Sequence, residues 1–165
     1  MKTRFHPART KGFTLIEMLV TVTIIIILMA LAVGGFEFVK QKQAIDQAKI
    51  QVSLLSNALE EYKLDNGVYP PGDGTSAANN NLFKVLYYDA ASATPQGKIY
   101  VSQLAPLTNK QGWTEGSGAG VTIIDPWGTE YIYRDGSDAA AKNPDFDIVS
   151  RGKDGVEGTS DDIRN

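Results

Sequence analysis

A long uncharged stretch near the start of the chain predicts a membrane-spanning helix. No charged residue occurs from Met18 to Phe36, a run of 19 positions. An α-helix of this length crosses the hydrocarbon core of a bilayer, which is about 30 Å thick. Because basic residues precede the run, its N-terminal end is predicted to stay in the cytoplasm and everything after Phe36 to lie outside it.

An ordinary secretory signal peptide is the alternative interpretation of this segment. Ala30-Leu31-Ala32 matches the small-residue pattern at which such peptides are cut. Two features count against it: the apolar run exceeds the usual length of about 7 to 15 residues, and the acidic Glu17 lies where a signal peptide should be basic. The sequence therefore predicts a basic N-terminal segment over 1–12, called the leader below, a transmembrane helix over 13–36 and one soluble domain over 37–165.

The next pattern predicts that the helix continues into the soluble domain. Apolar residues follow one another at spacings of 3, 4, 3, 4 and 3, which is one stripe on an α-helix: Ile45, Ala48, Val52, Leu55, Leu59 and Tyr62. Asp65-Asn66-Gly67 then favours a helix end, since glycine suits the left-handed position there and Pro70-Pro71 prevents the helix from resuming. One nearly continuous helix is expected from Phe13 to Asn66, with its stripe on the domain core.

The second half of the chain predicts short elements rather than long ones. A short helix is expected around 80–88, and apolar runs predict strands over 121–124, 131–133 and 146–149. Asp125-Pro126-Trp127-Gly128 has the residues of a type I turn between the first two strands. Trp127, Tyr131 and Tyr133 are expected in the core, as aromatics beside a turn usually fill one. A long helix followed by a small antiparallel sheet gives an α+β fold.

Composition removes several classes of chemistry. The chain has no cysteine, and its single histidine, His6, lies in the leader. Without the leader, a Ser-His-Asp triad, a Cys-His pair and a His-containing zinc site are all unavailable, and only paired carboxylates remain for catalysis. Loss of the four basic side chains of the leader takes the formal charge from -3 to -7. Such a charge argues against nucleic acid as a partner.

Residues 11–17, Lys-Gly-Phe-Thr-Leu-Ile-Glu, resemble the processing site of type IV pilins and pseudopilins. The resemblance implies that a prepilin peptidase cuts after Gly12 and that the new amino group of Phe13 is methylated. Residues 61–70, 125–133 and 146–155 look like the major, G-type pseudopilin of type II secretion systems. The resemblance implies the type IV pilin fold, whose long N-terminal helix is transmembrane in its first half and packs on a small C-terminal β-sheet.

Glu17 is the residue that says most about assembly. A carboxylate inside an apolar membrane helix costs about 2.5 to 3.5 kcal/mol, and less near the interface. The resemblance implies that the Phe13 ammonium of a neighbouring subunit neutralises it, a pair that only the cut chain can form. The alternative is a carboxylate at the level of the lipid headgroups without a partner.

The C-terminal loop has residue types that calcium sites use. It offers Asp147, Asp154, Asp161 and Asp162, with Ser150 and several glycines between them. Calcium takes six to eight oxygens from carboxylates and carbonyls, and glycines let a loop wrap closely around it. The spacing is not that of an EF-hand, so a solvated acidic turn is the alternative. The resemblance favours calcium, and the expected ligand residues are Ser150, Asp154, Asp161 and Asp162.

The resemblance implies a structural protein rather than an enzyme. Subunits would leave the inner membrane and stack by their N-terminal helices into a periplasmic pseudopilus that drives protein export. The implied partners are copies of the chain, minor pseudopilins, the assembly platform and the prepilin peptidase. A surface type IV pilus subunit is an alternative, although such pilins commonly have a C-terminal disulfide. A membrane-anchored hydrolase is another, and it would need two carboxylates about 5 to 9.5 Å apart in a cleft.

The chain departs from the family pattern in three places. Gly34 stands where many pilins have a helix-bending proline. Residues 72–124 are longer and more polar than the usual variable region, which leaves their role open. At the end, Gly158-Thr159-Ser160-Asp161-Asp162-Ile163 replaces the alternating Asp-Ala-Asp that the family tends to have.

Overall fold

The computed structural model describes residues 12–87 and 98–165. The chain forms two compact units, Met1–Gln41 and Lys42–Asn165. The leader expected over 1–12 lies outside the described residues apart from Gly12. Within the described residues, no helix is both long enough and apolar enough to cross a bilayer. The boundaries given to the leader, the transmembrane helix and the soluble domain stay predictions.

Helix α1 runs from Leu15 to Asn66, which confirms the continuous helix expected from the sequence. In the unit Lys42–Asn165 the predicted stripe is buried, with Ala48, Val52, Leu55 and Leu59 at most 3% exposed. The two end members of the stripe, Ile45 and Tyr62, are partly buried against the same core. Burial of one face explains why this part of the helix is amphipathic.

The C-terminal end of α1 also follows the sequence. Gly67 has a φ of +83°, and its N–H donates to the carbonyl of Lys63 at 2.7 Å. This left-handed residue closes the last turn, which an L-residue would do at a steric cost. The segment that follows the helix is held by Tyr133, whose hydroxyl donates to the carbonyl of Pro70 at 2.6 Å.

Helix α2 runs from Ser76 to Leu86. It confirms the short helix predicted near 80–88 but begins four residues earlier, and residue 88 lies outside the described residues. The early start comes from Thr75, whose hydroxyl accepts a hydrogen bond from the N–H of Ala78 at 3.3 Å. A side-chain cap of this kind satisfies an N–H that the helix itself leaves free.

Two small antiparallel sheets take the place of the single sheet expected from the sequence. Strand β1, Thr114–Glu115, pairs with β2, Thr122–Ile123. The second sheet has the order β3-β4-β5, made of Ile132–Asp135, Phe146–Ser150 and Ile163–Arg164. The expectation of one sheet is therefore wrong, although the α+β class is confirmed.

The turn over 125–128 explains the split between the sheets. The N–H of Gly128 donates to the carbonyl of Asp125 at 3.0 Å, which confirms the predicted turn. Beyond it, the two flanks are joined by the isolated bridge between Ile124 and Glu130 and by the N–H of Tyr131, which donates to the carbonyl of Ile123 at 3.1 Å. Strand β2 therefore completes its ladder with β1, and β3 completes its ladder with β4.

The core lies between α1, α2 and the three-stranded sheet. Tyr131 and Tyr133 are buried, and Trp127 is partly buried against the same core, which confirms their predicted place. Several polar side chains are also buried, among them Gln51 and Asn79. The Tyr131 hydroxyl donates to Oε1 of Gln51 at 2.6 Å, and the side chain of Asn79 bonds the backbone of β2 and of residue 131.

Candidate functional site

The residues predicted for processing and assembly lie just before and within the first turn of α1. Gly12 and Phe13 precede the helix and are exposed. The N–H and the hydroxyl of Thr14 both donate to Oε2 of Glu17 at 2.9 Å. The N–H of Glu17 donates to the Thr14 hydroxyl at 3.3 Å. This reciprocal arrangement is a capping box, in which two free N–H groups at the helix start are satisfied.

Glu17 therefore has a partner within its own chain. Neither alternative drawn from the sequence, a neighbour's ammonium or no partner at all, included Thr14. The signal was present, because Thr followed three residues later by Glu before an apolar run is the sequence signature of a capping box. Whether Glu17 pairs with a neighbouring Phe13 stays a prediction.

The helix that follows the cap exposes an almost unbroken apolar surface. Large hydrophobic side chains between Leu15 and Met29 are 47 to 84% exposed. Soluble monomers rarely expose a contiguous apolar patch of more than a few hundred Å². The segment therefore requires a cover that its own chain does not supply within the described residues.

The candidate metal site is the acidic loop, which we define as residues 150–162. It connects β4 to β5, and Ser150 and Ile163 pair at its base. Gly152, Gly155 and Gly158 all have left-handed backbone, with φ of +61°, +69° and +94°. The loop therefore bends three times within seven residues, as a chain that wraps a small ligand does.

Asp161 holds the two sides of the acidic loop together. Its Oδ2 accepts the N–H of Lys153 at 2.9 Å and that of Asp154 at 3.2 Å. Its Oδ1 accepts the hydroxyl of Thr159 at 2.6 Å. The Thr159 hydroxyl, followed by the Asp154 N–H, lowers the pKa of the Asp161 carboxyl below its ordinary value. Asp154 itself accepts the N–H of Val156 at 2.8 Å.

Asp162, one of the three carboxylates predicted as calcium ligands, has a side chain only 6% exposed. Its Oδ2 accepts the N–H of Gly158 and Nη2 of Arg164, both at 2.9 Å. Its Oδ1 is buried without a hydrogen-bond partner among the described residues. An unsatisfied buried carboxylate oxygen is costly, and it fits a hard cation that binds through oxygen.

The three carboxylates do not converge as a preformed cage. In the parts of the chain that the structure describes, no three His, Cys, Asp or Glu residues lie close enough together to hold a metal ion. The reason is visible in the loop, where each carboxylate turns to nearby backbone N–H groups. The donor set is nevertheless oxygen only, which matches calcium and no softer metal.

The side chains of Ser150 and Asp147 have hydrogen-bond partners that the sequence did not predict. The fully buried hydroxyl of Ser150 donates to Oδ2 of Asp125 at 2.7 Å and accepts the N–H of Gly152 at 3.2 Å. Its role as a calcium ligand stays a prediction. Asp147 lies inside β4, where its carboxylate accepts two N–H groups, of residues 142 and 143. Counting Asp147 among the loop residues was therefore wrong, and the strand predicted over 146–149 already included it.

Comparison with known proteins places the chain in a family. Residues 85–165 match the family model described as type II secretion system, protein G, and residues 7–33 match the prokaryotic N-terminal methylation motif. A protein of Escherichia coli K12 named type II secretion system core protein G is 33% identical over 157 residues, covering 95% of this chain and 91% of that protein.

Further relatives have the same name or type. The type II secretion system core protein G of Pseudomonas aeruginosa is 34% identical over 150 residues, covering 91% of this chain and 88% of the relative. A crystal structure of the major pseudopilin from the type 2 secretion system of enterohaemorrhagic E. coli aligns with 24% identity and a TM-score of 0.49, over 79% of this chain and 88% of that one. The chain belongs to the type II secretion system core protein G family.

Proposed function

We propose that this chain is a structural subunit of a type II secretion pseudopilus, in which copies of it assemble with other components of the secretion machinery. The observation that carries the proposal is the exposed apolar surface of α1 between Leu15 and Met29. Before assembly this surface is covered by the inner membrane, and after assembly by the same helices of neighbouring subunits. The remainder of the chain lies in the periplasm.

Processing prepares the helix for this change of surroundings. Cleavage after Gly12 removes the basic leader and leaves the amino group of Phe13, which is then methylated. The support is the N-terminal methylation motif over residues 7–33 together with the exposure of Gly12 and Phe13 ahead of the capped helix. The new ammonium group is the partner proposed for Glu17 of a neighbour.

Intact-mass and N-terminal analysis of sheared filaments tests this proposal. We expect a chain that begins at Phe13 and carries one additional methyl group. A chain that begins at Val33, after the Ala30-Leu31-Ala32 pattern, contradicts it because the apolar helix would have been removed. Uncut chain in the filaments contradicts the processing step alone.

We also propose that the acidic loop binds calcium. Asp154, Asp161 and Asp162 supply carboxylate oxygens, and loop carbonyls and the predicted ligand Ser150 complete the set. The unpaired, buried Oδ1 of Asp162 is the support for a cation at this place. Bound calcium neutralises part of the negative charge of the loop. With no cysteine in the chain, no disulfide can close the loop in its place.

Thermal unfolding with calcium and with EGTA tests the metal. The two tryptophans, Trp113 and Trp127, both lie in the unit Lys42–Asn165, so their fluorescence follows unfolding of that unit. Calcium that binds only the folded state adds about 2.7 kcal/mol to the free energy of unfolding when free calcium is a hundredfold above Kd. This raises the midpoint of thermal unfolding by several degrees. Asp162→Asn should lose this increment.

Glu115→Gln is the matched control, since Glu115 is an exposed carboxylate of β1 outside the loop. We expect it to keep the full calcium increment. An EGTA-insensitive midpoint in the unaltered chain, with no metal found by elemental analysis, contradicts calcium binding. That outcome leaves the filament proposal intact, because the apolar helix does not depend on the loop.

A further inference from the structure

The acidic loop is anchored from outside by a buried carboxylate. Asp125 lies in the turn between β2 and β3 and is only 2% exposed. Its Oδ1 accepts the N–H groups of Trp127 at 3.0 Å and Thr129 at 2.9 Å. Its Oδ2 accepts the hydroxyl of Ser150, 25 residues further along the chain, at 2.7 Å. Both oxygens are thus engaged, so the carboxylate has a fixed orientation.

The hydroxyl of Ser150 connects Asp125 to the loop. The same hydroxyl accepts the N–H of Gly152 at 3.2 Å, the first loop residue with left-handed backbone. A Cβ at Gly152 would lie 2.5 Å from the carbonyl oxygen of Asp161 and 2.6 Å from its Oδ2. The backbone of Gly152 therefore packs directly on Asp161, at a distance that only glycine allows.

A continuous chain of contacts follows from these distances. It runs from Asp125 through Ser150 and Gly152 to Asp161, which in turn accepts the N–H groups of Lys153 and Asp154. Hydrogen bonds to a charged acceptor in a buried site are stronger than neutral ones and orient the groups they join. The turn over 125–128 thus fixes the position of two proposed calcium ligands that it does not touch.

We propose that Asp125 is a positioning residue for calcium binding by the acidic loop. It acts through the hydroxyl of Ser150, which holds Gly152 and thereby Asp161 and Asp154 in place. The inference rests on the proposed calcium site. Substitution of a residue that orients metal ligands without binding the metal itself typically lowers metal affinity 10- to 100-fold.

Calcium affinity of the full chain, purified in detergent and titrated by calorimetry with Ca²⁺, tests the inference. Asp125→Asn keeps the size of the side chain but offers an amide N–H where the Ser150 hydroxyl donates. We expect it to weaken calcium binding about 10- to 100-fold. Ile148→Val is the control, because it removes one methylene from the core in β4 and lowers the midpoint in EGTA without touching the chain of contacts.

Ser150→Ala is a second variant in case Asp125→Asn does not fold. Hydrogen exchange in EGTA separates an anchoring hydroxyl from one that only binds metal. Faster exchange of the Lys153 and Asp154 N–H groups in Ser150→Ala is expected from anchoring, and unchanged exchange overturns it.

The outcomes separate the inference from the metal proposal. Weaker binding in Asp125→Asn with unchanged affinity in Ile148→Val supports the inference. Equal affinity in the unaltered chain and Asp125→Asn overturns the positioning role and leaves the calcium site standing. No calcium binding by the unaltered chain overturns the site and the inference together.

Discussion

Removal of the Asn79 side chain is predicted to destabilise the domain strongly. It is fully buried in α2. Its Nδ2 donates to the carbonyls of Ile123 at 2.9 Å and Tyr131 at 2.7 Å, and its Oδ1 accepts the N–H of Ile123 at 2.6 Å. One amide thus joins a helix to both flanks of the turn at residues 125–128.

The loss of stability expected in Asn79→Ala follows from the backbone groups that the substitution leaves without a partner. The Ile123 carbonyl keeps a donor, because the Tyr131 N–H also reaches it at 3.1 Å. The Ile123 N–H and the Tyr131 carbonyl lose their hydrogen bond to the Asn79 side chain. Each buried group left unsatisfied costs about 1 to 3 kcal/mol of stability. The higher helix propensity of alanine returns about 0.5 kcal/mol. The expected net loss is about 2 to 5 kcal/mol, a large part of the about 5 to 15 kcal/mol typical of a domain.

Denaturant and thermal unfolding followed by tryptophan fluorescence measure this loss. A change of about 3 kcal/mol should lower the midpoint by roughly 10 to 20 °C in a unit of this size. Asn81→Ala is the matched control, with the same change two residues along the same helix. Its one amide hydrogen bond, to the carbonyl of Pro71, is 3.3 Å long and exposed, so we expect less than about 1 kcal/mol. Equal losses in the two variants would refute the reasoning.

Three further predictions concern other parts of the chain. Glu17→Ala should leave membrane insertion intact and reduce the yield of sheared filaments, and a normal yield would mean that its carboxylate contributes little to assembly. Gln51→Leu leaves the Tyr131 hydroxyl unpaired but also removes the Gln51 Nε2, which is buried without a hydrogen-bond partner among the described residues, so the net loss should stay below about 3 kcal/mol, and a double-mutant cycle with Tyr131→Phe should recover most of it in denaturant unfolding. The hydroxyl of Ser137 holds the pKa of Asp135 below its ordinary value of 3.8, so the resulting stabilisation exists above that pH and is lost as pH falls through the lower folded pKa. Acid unfolding of Asp135→Asn should therefore depend less on pH than that of the unaltered chain, and parallel curves would contradict this.

Long, regular features of this chain could be predicted from sequence. The stripe from Ile45 to Tyr62 fixed both the type and the buried face of α1, because a period near 3.6 has one structural solution. The left-handed Gly67 marked its end. Strands β1 and β5 have only two residues each, which is too short for any alternation of apolar and polar positions to be visible.

The polar contacts could not be predicted, because they join residues far apart in the chain. Asparagine is ordinarily a loop residue, and nothing near Asn79 indicates a buried partner 44 residues away. The link between Asp125 and Ser150 was hidden for the same reason. In the acidic loop, spacing suggested converging carboxylates, whereas the exposed N–H groups of the loop itself compete for those oxygens.

The capping box at the start of α1 makes the proposed pair between neighbouring subunits an exchange. Thr14 already gives the Glu17 carboxylate two hydrogen bonds, so an arriving ammonium replaces or shares bonds that exist. The net free energy is then the difference between two satisfied states, smaller than the gross strength of a buried ion pair. If a subunit docks out of alignment, Glu17 stays hydrogen-bonded to Thr14 and no carboxylate is left without a partner. In the proposed filament, incorrect encounters would therefore dissociate, with the apolar helix surfaces supplying adhesion and the exchange selecting alignment.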